Sequence, residues 1–266
     1  KFSNNVLPLR VGNDVATIND VMGVIEILSR RREYTKINPF VVLLGIGEHQ
    51  INSSWTDSEF GGYELRTTLG ITRSNITFVG TGIDTTTIFG GFHIVNSQNI
   101  TFKQMTVTNT GSLGRGIDMS NAKVELIDIA FRGCRTCALY IPSSVSSATT
   151  VVATRCEFAN SRIGTAVGGR LTSAKFNNCV FHENDSGMCG SSNATIHLHG
   201  DTTAIHSNRR FGIKADSARV FIHLPSHHNT SYNNKEENRK TGSGGTITNV
   251  ENYVKKKTYE SYTVLH

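Results

Sequence analysis

The sequence predicts an all-β fold, a single-stranded right-handed parallel β-helix (solenoid) with an N-terminal capping α-helix. Three observations point there: a repeat of near-constant length, a shared apolar pattern inside each repeat, and a recurrent bend. Asn75-Ile76-Thr77-Phe78 is echoed by Asn99-Ile100-Thr101-Phe102 and by Lys123-Val124-Glu125-Leu126. Apolar starts continue at Val151, Ala174, Ile196 and Val220, so the spacings from Ile76 onward are 24, 24, 27, 23, 22 and 24 residues. A period in this range marks stacked supersecondary units. Inside the units, Ile100, Phe102, Met105 and Val107 are spaced like Val124, Leu126, Ile129 and Phe131. Val151, Ala153, Cys156 and Phe158 repeat that spacing, as do Ala174, Phe176, Cys179 and Phe181. Such a series describes two short strands joined by a bend, each with one face in and one face out.

The length of the unit selects the architecture. Helical repeats need roughly 33 residues or more, whereas a coil of three short strands fits in the low twenties. The Leu-x-x-Leu-x-Leu signature of a leucine-rich repeat is missing. Rungs of a parallel coil stack at about 4.8 Å. A second strand recurs once per unit, at Gly116-Ile117, Ala138-Leu139, Ala166-Val167, Gly187-Met188 and Gly212-Ile213. Asn109, Gly133 and Asn160 follow the last inward residue of their units by two positions, and Asn184 and Asn208 by three. They form a column of residues that tolerate a left-handed backbone, as a repeated tight bend requires.

One large all-β domain accommodates all 266 residues. An apolar content of 37% with 25 glycines fits a thin coil with a narrow interior and a large surface. The net charge of +6 and pI near 9.1 suit acidic polysaccharides. No stripe of interleaved aromatic and basic residues marks a nucleic-acid surface, and no apolar run has the length of a membrane span. A start at Lys1 instead of Met is what removal of a leader, or trimming, would leave. Six Asn-x-Ser/Thr sequons, at Asn52, Asn75, Asn99, Asn184, Asn193 and Asn229, are the glycosylation candidates. Together these features lead us to expect a secreted or particle-surface protein; an Asn-rich repeat without glycans is the alternative.

Five cysteines leave at least one unpaired within the chain. Cys156 and Cys179 hold equivalent inward positions on neighbouring rungs, about 5 Å apart, so they form either a disulfide or a stacked pair of buried thiols. Cys134 and Cys137 form a Cys-x-x-Cys in a polar bend without βαβ context, read as a local disulfide or free thiols. A second ligand pair is lacking, so no metal is expected there, and no cofactor is expected anywhere.

Near the N-terminus, Ile18, Val21, Met22, Ile25 and Leu28 form one apolar stripe, opened by a capping box at Thr17-x-x-Asp20 and closed by Arg30-Arg31-Arg32. This helix is expected to cover the first rung, whose edge would otherwise stay open. Phe40 to Gly47 reads as the first buried strand, and Ser53 to Gly62 as a loop with Trp55 and Phe60 folded back on the coil.

The order helix, Phe40-Val41-Val42-Leu43-Leu44-Gly45-Ile46-Gly47-Glu48-His49, then Asn75 to Gly90 resembles the opening of pectin-lyase-like β-helix proteins, including the pectin methylesterases. Val79-Gly80-x-Gly82-x-Asp84-x-Thr86-x-Ile88 is its most specific piece, and the similar layout extends to about Pro225. The resemblance implies the fold and a preference for carbohydrate. It does not carry the family's catalysis. Where pectin methylesterases have Gln-Asp-Thr-Leu-Tyr, this chain keeps Leu139-Tyr140 without the Gln or the catalytic Asp. The calcium-binding acids of pectate lyases and the paired Asp with Gly-His-Gly of polygalacturonases are absent too. Acids in the repeat are sparse, and no two stack clearly as a glycosidase pair; Asp118, Glu125, Asp128, Glu157, Glu183, Asp185, Asp201 and Asp216 read as solvated outward positions.

Histidine supplies the one constellation. The outward residues after each unit's last apolar residue are Thr108, Arg132, Ala159, His182 and His206, which places His182 and His206 in a column with Arg132. A second column pairs His199 with His223. These five are the glycan-binding candidates, with a plain hydrophilic ladder as the alternative.

After Pro225 the chain turns polar, and Lys235 to Lys240 reads as loop, with Thr246 to Val250 as a possible last rung. The expected organisation is therefore 1–35 with the capping helix, 36–225 as the coil, and 226–266 as loop, last rung and tail covering the second edge. The function read from this is a non-enzymatic structural or glycan-contacting component of a wall, sheath or virion, touching polysaccharide or other protein subunits. The alternative is a lyase, epimerase or hydrolase acting on acidic glycans through the His/Arg face.

Overall fold

The computed structural model describes residues 8–57, 63–223 and 230–250. Phe60, Asn229 and the tail from Glu251 lie outside them. The chain winds as a β-solenoid of about seven turns. One parallel sheet runs through Leu9–Arg10, Phe40–Leu43, Ile76–Val79, Ile100–Thr108, Lys123–Arg132, Thr149–Thr154, Thr172–Asn177, Thr195–His199, Arg219–His223 and Thr246–Val250. A second, eight-stranded sheet stacks Thr68–Ile71, Gly91–Val95, Ile117–Ser120, Cys137–Ile141, Ile163–Val167, Ser186–Ser191, Phe211–Asp216 and Glu237–Gly242.

The register is the one the repeat dictates. Ile100 lies opposite Val124, Val124 opposite Val151, and the column continues through Ala174, Ile196 and Val220. Phe102, Leu126, Ala153, Phe176, Leu198 and Ile222 form the neighbouring buried column. Like residues meet like on successive rungs, so aromatic rings stack: Phe131 on Phe158 at 5.2 Å and Phe158 on Phe181 at 4.6 Å. Each such pair adds about 0.5–1.5 kcal/mol beyond its burial.

The bends differ from the expected column in an instructive way. Gly133 and Asn160 are left-handed, but in later rungs the left-handed residue is Glu183, Ser207 or Asn233, one position before the asparagine. Asn184, Asn208 and Asn234 instead turn inward and form a buried ladder. Asn184 Nδ2 donates to Asn208 Oδ1 at 3.1 Å, and Asn208 Nδ2 to Asn234 Oδ1 at 2.8 Å. Each amide also donates to a backbone carbonyl of the previous rung, Phe158 O, Phe181 O and Ile205 O. The ladder satisfies polar backbone at a corner where the strand bonding stops.

Further corrections concern the second sheet and the ends. Thr165, not Val167, faces Leu139 and Met188, so the small-apolar pair of that rung is Gly164-Thr165. The sheet begins at Leu9–Arg10, ahead of Phe40–Leu43. Polar Glu237–Gly242 is a strand on Phe211–Asp216, and Ser231–Tyr232 pairs with Ala204–His206, so the coil passes the expected boundary at 225, and Thr246–Val250 is its last rung among the described residues. Parallel pairing needs only backbone groups, and a terminal rung has little core to fill.

The capping helix is present as a turn at Ile18–Asp20 followed by Val21–Ser29, with Thr17 N donating to Asp20 Oδ2 at 3.0 Å. Ile18, Val21 and Ile25 join the core, whereas Leu28 is exposed because the helix ends there. Arg73 Nε donates to Glu26 Oε2 at 2.8 Å, tying the helix to the coil. In the stretch read as loop, Trp55–Asp57 and Tyr63–Leu65 form a small antiparallel hairpin. Trp55 does fold back: a Cβ at Gly70 would lie 2.0 Å from its ring, so glycine makes room for the indole.

Candidate functional site

The first predicted column exists. Arg132 lies opposite Ala159, Ala159 opposite His182, His182 opposite His206, and Tyr232 extends the row. His182 stacks on His206 at 5.5 Å, and His206 on Tyr232 at 5.1 Å. Ala159 is too short to separate its neighbours, and Glu157, two residues back on the same face, fills the space. Arg132 Nε and Nη2 donate to Glu157 Oε2 at 2.9 and 2.6 Å, and His182 Nε2 lies 2.9 Å from Glu157 Oε1. Glu157 is therefore the hub of the row, not a solvated position. Burial pushes its carboxyl up, but hydrogen bonds and charge from Arg132 and His182 outweigh this and hold it below the ordinary value. The hydrogen bond to Glu157 raises Arg132 in turn. Burial and the neighbouring His182 lower His206.

The second predicted pair also forms: His199 stacks on His223 at 4.0 Å. A third ring joins them, for His197 Nδ1 lies 2.8 Å from His223 Nε2. Burial, then the charges of His223, Lys175 and His197, lower His199 to about 4.

A third arrangement was not anticipated. On the outer face of the second sheet, Gly70, His93, Asp118 and Tyr140 occupy one column. His93, Asp118 and Tyr140 line a cleft of about 200 Å³ walled by Leu65 and Leu113. Asp118 is only 4% exposed, so the expectation of a solvated carboxylate fails there. Arg115 holds it in a hydrogen-bonded ion pair and lies 3.7 Å over the Tyr140 ring. His93 Nδ1 stands 3.6 Å from Asp118 Oδ2, and Trp55 packs 5.7 Å from the His93 ring. Burial raises the Tyr140 phenol, with Arg115 opposing and Asp118 adding to the rise, so it keeps its proton at neutral pH. These residues each follow an inward residue of the second strand, Phe92, Ile117 and Leu139, but share no residue type that would mark the column in the sequence.

The remaining candidates divide by environment. All five cysteines are free thiols. Cys156 and Cys179 are buried, with Sγ of Cys156 3.4 Å from Thr154 O and Sγ of Cys179 3.5 Å from Ala153 O. Cys134 and Cys137 are buried too, and burial pushes each thiol up to about 12. Asn184 is wholly buried with its amide committed twice, so it has no room for a glycan on the folded coil. Asn75 and Asn99 spend their amides on Tyr34 O and on Asn75 Oδ1, each at 2.8 Å. Asn52 and Asn193 are exposed.

No family model matches the chain, and no curated protein matches it. Among solved structures, it is similar to the tailspike protein gp49 of Acinetobacter baumannii bacteriophage Fri1, a capsular polysaccharide depolymerase. The identity is 15% and the TM-score 0.48, over 93% of this chain and 46% of that one. It is similar to ORF18 of Geobacillus virus E2 at 12% identity and a TM-score of 0.40, over 87% of this chain and 62% of that one. The A-module of the mannuronan C-5 epimerase AlgE6 of Azotobacter vinelandii gives 11% identity and a TM-score of 0.42, over 91% and 77%. The chain thus spans about half the length of the tailspike, and likeness at this level carries no chemistry from those proteins to this one.

Proposed function

We propose that this chain is a glycan-contacting solenoid of an extracellular or particle-surface assembly, and that its sugar site is the cleft around Asp118. The observation that carries the reading is the buried Asp118–Arg115 pair above Tyr140. Taking a carboxylate and a guanidinium out of water costs several kcal/mol, and the fold does not demand it: Ala166, Cys189 and Lys214 hold the same column on later rungs. The chemistry suits a sugar. A fixed carboxylate accepts hydrogen bonds from ring hydroxyls, Arg115 and His93 offer donors, and Leu65 and Leu113 give apolar surface for pyranose C–H groups, with Trp55 packed against His93. The net positive charge favours acidic glycans. The expected unit is one continuous domain from the capping helix to the last rung. Binding to acidic polysaccharide fragments, followed by calorimetry, tests the site: Asp118→Asn abolishes binding while Glu157→Gln retains it. Equal affinity in both variants would remove the cleft from consideration.

The enzymatic reading is kept by one further observation: His93 and Tyr140, both proton-transfer groups, stand on either side of Asp118. A single carboxylate lines the cleft among the described residues, which does not suit a two-carboxylate hydrolysis. It suits a step in which His93 takes a proton from a uronate ring carbon and the protonated Tyr140 phenol gives one, to the opposite face of that carbon in epimerisation or to the leaving glycosidic oxygen in elimination, with Arg115 facing the sugar carboxylate. Incubation with polymannuronate and pectate, read as the absorbance of an unsaturated product and as C5 inversion by NMR, decides it. Turnover lost in Tyr140→Phe establishes the enzyme; no turnover leaves the binding protein.

A further inference from the structure

Near the C-terminal end of the coil, three imidazoles meet on the outer face of the first sheet, and the cleft makes no use of them. His197 and His199 alternate outward from Thr195–His199, and His223 ends Arg219–His223, the strand stacked upon it. One nitrogen of each ring lies within 4.8 Å of the others. His197 Nδ1 and His223 Nε2 are already 2.8 Å apart. A tetrahedral ion with metal–nitrogen bonds of about 2.1 Å keeps its ligands about 3.4 Å apart, a spacing bracketed by these two distances. From this geometry we infer that His197, His199 and His223 form a three-imidazole site for a divalent first-row transition metal ion of the zinc or copper class, clamping two neighbouring rungs.

The donor set decides the class of ion. Among the described residues, the groups acting electrostatically on the three rings are one another and Lys175, with no carboxylate among them. Calcium and magnesium require oxygen ligands, whereas imidazole suits zinc, copper and nickel. Three protein ligands leave a fourth position open to solvent, where a water or a sugar hydroxyl completes the shell. The bond between His197 and His223 joins two of the ligands themselves, so an ion replaces it once the donating ring moves its proton to its other nitrogen. His199 and His223 are stacked, and closing on an ion turns their rings about the Cβ–Cγ bond; as half-exposed side chains on an outer face, they have space to do so. Lys175, opposite His197 on the preceding rung, is exposed and opposes a cation by its charge.

This site goes beyond the glycan reading and does not depend on it. The test titrates the metal-stripped full chain with Zn2+ by calorimetry and with Co2+ by visible absorption. One ion binds per chain, with the intense Co2+ bands of a low-coordinate site. His199→Ala and His223→Ala each lose both signals, with unchanged circular dichroism showing that the coil is intact. The paired control His182→Ala/His206→Ala keeps them, and Lys175→Met binds more tightly. The inference is overturned if the parent chain takes up no saturable Zn2+, or if uptake survives in His197→Ala/His199→Ala/His223→Ala.

Discussion

Two outer faces of this coil each bring a carboxylate, an arginine and a histidine into contact, and they differ in burial. On the second sheet, Asp118 joins Arg115 and His93 in a cleft, with the two side chains Asp118 and His93 at 6% and 2% exposure. On the first sheet, Glu157 joins Arg132 and His182 on an open row, where Glu157 is 27% and Arg132 40% exposed. Charges on an open row keep much of their hydration and contribute little. In the cleft Asp118 and His93 have given up nearly all their hydration and Arg115 much of its own, a cost recovered only when every partner is in place. An expensive arrangement on one face and an inexpensive one on the other, within the same repeat, are what the proposed placement of the sugar site in the cleft around Asp118 predicts.

The sharpest way to break this comparison is to delete each carboxylate. Asp118→Ala leaves a half-buried guanidinium without its partner and is expected to cost about 3 kcal/mol, at the lower end for a broken buried pair. Glu157→Ala is expected to cost about 1 kcal/mol or less. Urea unfolding of both variants measures the difference, and equal losses would erase the distinction between the faces. A smaller effect is expected at Gly70→Ala. The added Cβ would meet the Trp55 ring at 2.0 Å and drive it from its seat beside His93, an overpacking cost of about 1–3 kcal/mol. Trp55 is the chain's one tryptophan, so its emission shifts to the red as the indole enters water. An unchanged spectrum would mean that the hairpin does not close the cleft.

How far these faces were legible follows from what a repeat encodes. Apolar columns such as Ile100, Val124 and Val151 could be read because one side-chain type recurs at one phase, and stacking demands nothing else. The same phase placed Arg132, His182 and His206 together correctly. It did not single out Glu157, because the hub of the row arises from the shortness of Ala159, a property of a neighbour. The cleft escaped because His93, Asp118 and Tyr140 are unlike one another, and a column of unlike residues leaves no periodic trace. His197 was missed as a partner of His223 because the contact is diagonal, between positions the register does not place opposite each other. The inward asparagines were confused with the left-handed corner because the two positions are adjacent and asparagine suits both.

On the open row itself, Arg132→Ala is expected to lower stability by about 0.5–1 kcal/mol in dilute buffer and by less in molar salt, since screening weakens exposed pairs first. Melting curves across salt concentrations read this; a loss that does not shrink with salt would place the pair among the buried ones.

The smallest effects expected are two steps in the acid dependence of that row. His206 is held below its ordinary 6.5, chiefly by burial. As pH falls through 6.5, the unfolded chain takes up the proton before the folded one does, so stability declines until the folded imidazole also titrates. Glu157 is held below its ordinary 4.5, with Arg132 and His182 outweighing burial. Its contribution is complete above 4.5 and is lost as pH falls from there through the folded value. The two groups act in the same direction in separate windows. Unfolding free energies measured between neutral pH and pH 3 should therefore show a smaller upper decline in His206→Gln, the remainder coming from the likewise lowered His197, His199 and His223, and a smaller lower decline in Glu157→Gln. Because Glu157 touches His182 and His182 stacks on His206, removing Glu157 should also displace the upper step. If that step stays put, the row is a set of independent neighbours, and the hub role given to Glu157 fails.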